Sequence, residues 1–303
     1  MERRFKIKIA ILSVLFLGAI FSLYFANRES RAGILTVAFL DVGQGDSIFI
    51  EAPNGNQMLV DGGIGRGVLR ELGKVMPFYD KSIDVVVATH PDADHIGGLN
   101  DVLGRYKVDL FMESGVISDT SFYKELESRI LNLESKGRIK KMEARSGMIV
   151  DFGGGVFFEI LYPIYDTKGM ESNSASIVGR LVYGENSFML TGDSPINIEE
   201  YLVSLECRGQ PLICPGPKGL PSALKSNVLK AGHHGSKTST SEAFVGAVAP
   251  EYAVISAGKD NRYGHPHQEV LDILEKYNIK ALNTAYLGRI IFKSDGINLK
   301  LKD

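Results

Sequence analysis

Residues 9 to 26 form a run of 18 uncharged, mostly apolar positions, from Ile9-Ala-Ile-Leu to Ser-Leu-Tyr-Phe-Ala26. That length is near the minimum for one bilayer crossing. Arg3, Arg4, Lys6 and Lys8 precede the run, against Arg28 and Arg31 beyond it, a bias that keeps the N-terminus cytoplasmic. The pattern predicts residues 1–31 as a basic stub plus a transmembrane helix, and residues 32–303 as one extracytoplasmic domain. A cleavable signal peptide is the competing reading, but Tyr24 sits where its cleavage site would need a small residue beside Ala26.

Beyond the run the periodicity changes. Ile34-Leu-Thr-Val-Ala-Phe-Leu40 and Ser47-Ile-Phe-Ile-Glu51 alternate and predict strands, and Asn54-Gly55 before Gln57-Met-Leu-Val60 signals a hairpin. The β-branched run Ile83-Asp-Val-Val-Val-Ala-Thr89 reads as a buried strand. Helical spacing appears over 68–76, 101–106 and 121–137, where Phe122, Leu126, Ile130, Leu131 and Leu133 fall near i, i+4, i+8 intervals. Strands are expected at 156–161, 177–183 and 188–190, with a helix from Ile196 to Glu206. The last third reads strand 228–231, helix 241–248, strand 252–256, helix 266–277, then closing strands. Strands interleaved with helices predict an α/β layered domain.

With 44% hydrophobic residues, 303 positions suffice for one sizeable core. A net charge of −2 gives no global attraction for nucleic acid, so any polyanion contact has to be local. Two cysteines exclude a disulfide-rich scaffold and a cysteine-built zinc site. Cys207 and Cys214 flank a Pro/Gly-rich loop and read either as a small disulfide ring or as two unrelated thiols.

Candidate chemistry concentrates in His90-Pro-Asp-Ala-Asp-His95, two imidazoles and two carboxylates where a strand ends. Gly97-Gly98 let the chain turn closely behind it. Nitrogen and oxygen donors without thiolate suit zinc, manganese or iron(II). The same residues also suit a polar helix-capping turn.

Five further segments lie in order around this one: Phe39-Leu-Asp-Val-Gly-Gln-Gly-Asp-Ser-Ile48, Leu59-Val-Asp-Gly-Gly63, Phe188-Met-Leu-Thr-Gly-Asp193, Lys230-Ala-Gly-His-His-Gly-Ser-Lys-Thr-Ser239, and Arg262-Tyr-Gly-His-Pro-His267. Together they resemble the metallo-β-lactamase-fold domain of the competence protein ComEC and its free-standing relatives, over about residues 34 to 300. The resemblance implies a pseudo-symmetric αββα sandwich. It implies two divalent metal ions, Zn or Mn, with His90 and Asp92 on one and Asp94 and His95 on the other. Asp193 would bridge them and His233 would complete the second site. The wider superfamily usually supplies one more histidine before the bridging aspartate, and none stands between His95 and His233. The first site is therefore expected to be weaker, with water or Asn173 in place of that ligand.

Each of these residues has a plainer reading. Asp193 suits a cap for the helix behind Pro195, and His233 and His234 suit loop histidines held by backbone groups. Asp94 is the candidate for orienting or deprotonating a metal-bound water. His234, Ser236 and His265 are candidates for phosphate contact or leaving-group protonation, and Lys237 for a local positive charge. His267 reads as a helix-start residue. The expected function is a membrane-anchored phosphodiesterase or nuclease, with DNA or RNA as substrate. A hydrolase of small or cell-wall phosphodiesters, phosphocholine-esterase-like, is the alternative, and a non-catalytic binding module the third reading.

Overall fold

The computed structural model describes residues 2–31, 33–207 and 224–302, with side chains described from residue 4 except at 22–31 and 207. Two sheets face each other. The first holds β1 (Leu35–Phe39), β2 (Ile48–Glu51), β3 (Gln57–Val60), β4 (Ser82–Ala88), β5 (Lys107–Glu113) and β6 (Lys140–Glu143). The second holds β7 (Ile149–Gly153), β8 (Val156–Tyr162), β9 (Val178–Tyr183), β10 (Asn186–Leu190), β11 (Val228–Lys230), β12 (Tyr252–Ile255) and β13 (Lys280–Asn283). The chain then returns to the first sheet, where β14 (Ile290–Ser294) pairs antiparallel with β1 and β15 (Leu299–Lys302) closes the edge.

Each sheet repeats one plan. An antiparallel meander (β1-β2-β3, and β7-β8-β9-β10) passes into parallel strands (β3-β4-β5-β6, and β10-β11-β12-β13). The parallel crossovers carry helices, which lie outside the sheets. Against the first sheet pack α2 (Gly67–Val75), α4 (Leu99–Arg105) and α5 (Ser121–Ser135), burying Leu72, Leu103, Leu126 and Ile130. Against the second pack α6 (Ile196–Cys207), α7 (Glu242–Val248) and α8 (Gln268–Lys276), burying Leu202, Phe244, Val245 and Leu274. A third core lies between the sheets and draws on Phe39, Ile50, Phe158, Phe188 and Phe292. This is the expected αββα sandwich.

Local rules explain the boundaries. Thr120 accepts the Tyr123 N–H and Ser241 the Phe244 N–H, capping α5 and α7. Gly55, at φ +93°, turns β2 into β3 as the Asn-Gly pair predicts. The helix expected over 266–277 instead runs Gln268–Lys276 behind His267, because Pro266 belongs to the preceding turn.

The expected transmembrane helix is not supported. Residues 2–31 do form a helix, α1 (Glu2–Arg31), but among the described residues no helix is long and apolar enough to cross a membrane. Arg4, Lys6 and Lys8 interrupt its early part, and the 9–26 run continues past residue 21 into side chains outside the described residues. Cys214 also lies outside them, and with it the proposed ring to Cys207.

Phe292 ties the inner core together, with ring centroids 6.2 Å from Phe39, 5.9 Å from Phe188 and 5.4 Å from Tyr252. Phe292→Ala is expected to lower folding stability by about 3–5 kcal/mol, measured by chemical denaturation. A loss under about 1 kcal/mol would show that the two sheets are not held through this contact.

Candidate metal centre

The strand ends deliver the site. Asp61 follows β3, His90 to His95 follow β4, Asp193 follows β10, and His233 and His234 follow β11. All cluster at one edge of the sandwich, between the sheets. The hexapeptide winds into the single turn α3 (Ala93–Ile96), with Asp92 at its N-cap position but making no side-chain capping bond. The Asp92 carboxylate instead accepts a 2.6 Å hydrogen bond from Ser172 Oγ and lies 3.7 Å from His90 Nε2. Asp193 does not cap α6 either, since the Ile196 N–H is taken by the Thr238 carbonyl.

Asp193 is the hub. Its Oδ1 faces His95 Nε2 at 3.2 Å, and its Oδ2 faces His234 Nε2 at 3.4 Å, His233 Nε2 at 3.6 Å and His90 Nε2 at 3.9 Å. Three of these rings are locked from behind. His95 Nδ1–H donates to Asp61 Oδ2 at 2.8 Å, and His234 Nδ1–H to the Ser256 carbonyl at 2.8 Å. Thr89 Oγ1 spends its hydrogen on Asp61 Oδ2, so its oxygen accepts from His90 Nδ1–H at 3.0 Å. The ring nitrogens left over, His90 Nε2, His95 Nε2 and His234 Nε2, are buried without hydrogen-bond partners. Buried polar atoms are rarely abandoned in this way, and histidines pinned through Nδ1 with a bare Nε2 are what metal sites require.

Asp46, His95, Asp193 and His234 each offer one ligand atom, all within 4.8 Å of one another and all buried. Asp94 closes this group from the more open side, its Oδ2 3.3 Å from His234 Nε2. His90 and His233 face Asp193 Oδ2 beside His234, with Asp92 next to His90, and Asp92 and His233 are partly exposed. The expected ligands are thus brought together, with one difference: His234, not His233, turns its bare nitrogen into the buried group. Both residues occupy a tight turn with left-handed backbone, φ 47° and 57°, so no alternation rule shows which of the two faces inward. Asn173 Oδ1 is buried without a partner in the turn beside Ser172.

Sequence reasoning gave no role to Asp46, Asp61 or Lys230. Lys230 is fully buried, its Nζ 2.5 Å from Asp46 Oδ2, 3.7 Å from Asp193 Oδ1 and donating to the Gly192 carbonyl at 3.1 Å. Each sits in a motif already singled out, directly after an apolar strand or its turn, and that placement was the available signal. Two glycines permit the approach. A Cβ on Gly45, at φ +126°, would stand 2.2 Å from the Asp94 carbonyl oxygen, and one on Gly192, at φ +52°, 3.1 Å from Thr89. The late histidine turn is held by Glu199, whose carboxylate accepts the Thr240 and Ser241 N–H groups.

Other expected residues stand further out. Lys237 is exposed, Ser236 Oγ pairs with Thr238 Oγ1 at 3.0 Å, and His267 Nδ1 accepts the Lys237 N–H at the start of α8. His265 lies at the mouth, its ring 5.6 Å from His233 and 6.2 Å from His234, with Nδ1 buried and unpartnered. Burial and the neighbouring His234 push it down to about 4, so at neutral pH it carries no proton to give away as an acid.

The ionisation pattern follows the same geometry. Burial lowers His90 to about 4, helped by the charge of His95. Burial also opposes charge on His95 and His234, but Asp193 prevails, with Asp61 for His95 and Asp46 for His234. His95 is carried well above its ordinary value and His234 up to about 9. Asp46, despite burial, is held down at about 2 by Lys230. Carboxylates outnumber permanent cations in this pocket, and a divalent ion would balance them while satisfying the bare nitrogens. The residues fit such an ion, and their nitrogen and oxygen donors suit Zn or Mn.

Comparison with known proteins decides the family. Residues 40–259 match the metallo-beta-lactamase superfamily. The chain belongs to that superfamily. It is 32% identical over 278 residues to "ComE operon protein 3" of Bacillus subtilis (strain 168), covering 85% of this chain and 33% of that one. It is 31% identical over 257 residues to "Competence protein ComA" of Neisseria gonorrhoeae, covering 84% of this chain and 32% of the relative. The chain thus spans about a third of the length of these curated relatives. Among solved structures, the metallo hydrolase Igni18 of Ignicoccus hospitalis KIN4/I superposes with a TM-score of 0.50 at 15% identity, covering 85% of this chain and 98% of that one. The metallo-beta-lactamase fold and the ComEC resemblance both stand.

Two outcomes are expected of the centre. His234→Ala should reduce bound metal, measured by elemental analysis after zinc reconstitution, more than His233→Ala does. Equal losses would remove the distinction drawn between the two rings. In metal-free protein the raised His234 stabilises the fold fully below about pH 6.5, and that contribution disappears as pH rises through about 9. The melting temperature after chelation should therefore fall between pH 7 and pH 10, and fall less in His234→Gln.

Proposed function

We propose that this domain is a metal-dependent phosphodiesterase that cleaves nucleic-acid strands. The observation that carries the reading is the ring of three pinned, buried imidazoles with bare Nε2 atoms around Asp193. Asp46, Asp94, His95, Asp193 and His234 would hold one ion, and His90, Asp92 and His233 could hold a second beside it. Ions bound there would bring water toward ionisation near neutral pH and clamp phosphoryl oxygens.

The chain's own residues do the rest. Burial works against ionised Asp94, but His234 and His95 hold it well below the usual carboxylate range. So stabilised a carboxylate is a weak base, and its part is to accept a hydrogen bond from the attacking water and aim it. His265, neutral and at the mouth, donates one hydrogen bond to a phosphoryl oxygen rather than a proton to the leaving group. Lys230 neutralises and fixes Asp46 from behind. Similarity to competence proteins favours nucleic acid over small esters. The N-terminal helix belongs to the same proposal: Ile11, Leu12, Leu15, Phe16 and Leu17 are exposed on α1 and give the chain an apolar surface for membrane association.

Full-length protein tested against single-stranded DNA, duplex DNA, RNA and bis-p-nitrophenyl phosphate decides the reading. Turnover of none of them with bound metal would overturn it. Asp94→Ala should lower kcat by about 10²-fold or more while the fold is retained by circular dichroism. His265→Ala should cost only about 3-fold to 10-fold, the worth of one neutral hydrogen bond, with no change in the acid limb of the pH–rate profile.

A further inference from the structure

Beside the centre, residues 258–267 form a rim whose shape is set from within. Asn261 donates to the Gly258 and His265 carbonyls at 2.8 and 2.7 Å and accepts the His265 N–H at 2.9 Å. The Gly258 N–H is tied across to Gln44 Oε1 at 3.2 Å, in the turn that presents Asp46. On this braced rim Tyr263 holds a large ring half in solvent, 50% exposed. Its inner side lies near-parallel to His265, with centroids 5.6 Å apart and planes 20° apart. Arg262 donates to the Tyr263 hydroxyl at 3.0 Å, its guanidinium carbon 5.1 Å from the ring centroid. Rings thus step from solvent to the metal ligands: Tyr263, then His265, then His233 at 5.6 Å.

Half-exposed Tyr263 belongs to none of the three apolar cores. His265 stacks on the ring and the exposed Arg262 guanidinium lies over it, so an unpaired nucleobase reaches the ring as Arg262 turns out to the adjoining phosphate. In a duplex both faces of each base are already stacked and its edge is paired, so only an unpaired strand offers such a base. We infer that Tyr263 is a base-stacking platform at the mouth of the metal centre, and that it selects single-stranded nucleic acid. The inference rests on the phosphodiesterase reading for what happens after binding, but not for the binding itself.

The experiment is fluorescence anisotropy with full-length, zinc-loaded protein in detergent. The probes are a labelled oligothymidine, the same backbone without bases, and a blunt duplex. Wild type should bind the thymidine strand roughly 5-fold to 150-fold more tightly than the abasic strand, the range for one stacked base. It should also prefer that strand to the duplex. Tyr263→Ala should erase the preference for bases, and Tyr263→Phe should keep it. Equal wild-type affinity for the base-bearing and abasic strands overturns the inference, as does a base preference that survives Tyr263→Ala. A Tyr263→Ala loss of equal size on both strands also overturns it and makes the tyrosine a positioning residue for His265. A base preference erased by Tyr263→Ala in a protein that cleaves no strand upholds the platform and removes the hydrolase reading alone.

Discussion

The carboxylate of Asp193, buried between two sheets and faced by four imidazoles and an ammonium, is the constraint on which the rest of this structure depends. A charge in that position is tolerable only if every neighbour is oriented toward it. Much of the surrounding architecture does that orienting. Asp61 and Thr89 set His95 and His90, the Ser256 carbonyl sets His234, and Lys230 spans Asp46 and Asp193. The polar core is therefore a single network, and a change in any outer member reaches the hub through one intervening residue.

Topology explains why the network lies where it does. Parallel strands all end on the same edge, and the loops beyond those ends are free of helix packing. The repeated plan of the two sheets brings two such edges face to face, β3 and β4 on one side, β10 and β11 on the other. Glycines at 45 and 192 then let backbone pass where a side chain would collide.

Much of this was legible in the chain. The run from Ile83 to Thr89 is buried on both faces and reads as a strand without help from periodicity. The hexapeptide behind it announced ligands by composition. Asp61 and Asp46 were not legible as individuals, because a lone aspartate after a strand looks the same whether it supports a histidine or ends a turn. Lys230 was hidden by its type, since lysine is rarely buried and only the carboxylates opposite make burial tolerable. The choice between His233 and His234 depends on two left-handed residues in succession, which no pattern rule anticipates. The edge strands β6 and β7 escaped notice because both are short and expose polar side chains to solvent.

The division of the ligands between the sheets has a mechanical consequence. His90 and His95 belong to the first sheet, while Asp193 and His234 belong to the second, some hundred residues further along the chain. Neither half holds the set alone, so an ion seated there acts as a rivet across the sandwich. Capture of an ion would then wait for the two sheets to dock, and occupancy would report completed folding. Starving the protein of metal would weaken the seam between its halves before either half came apart.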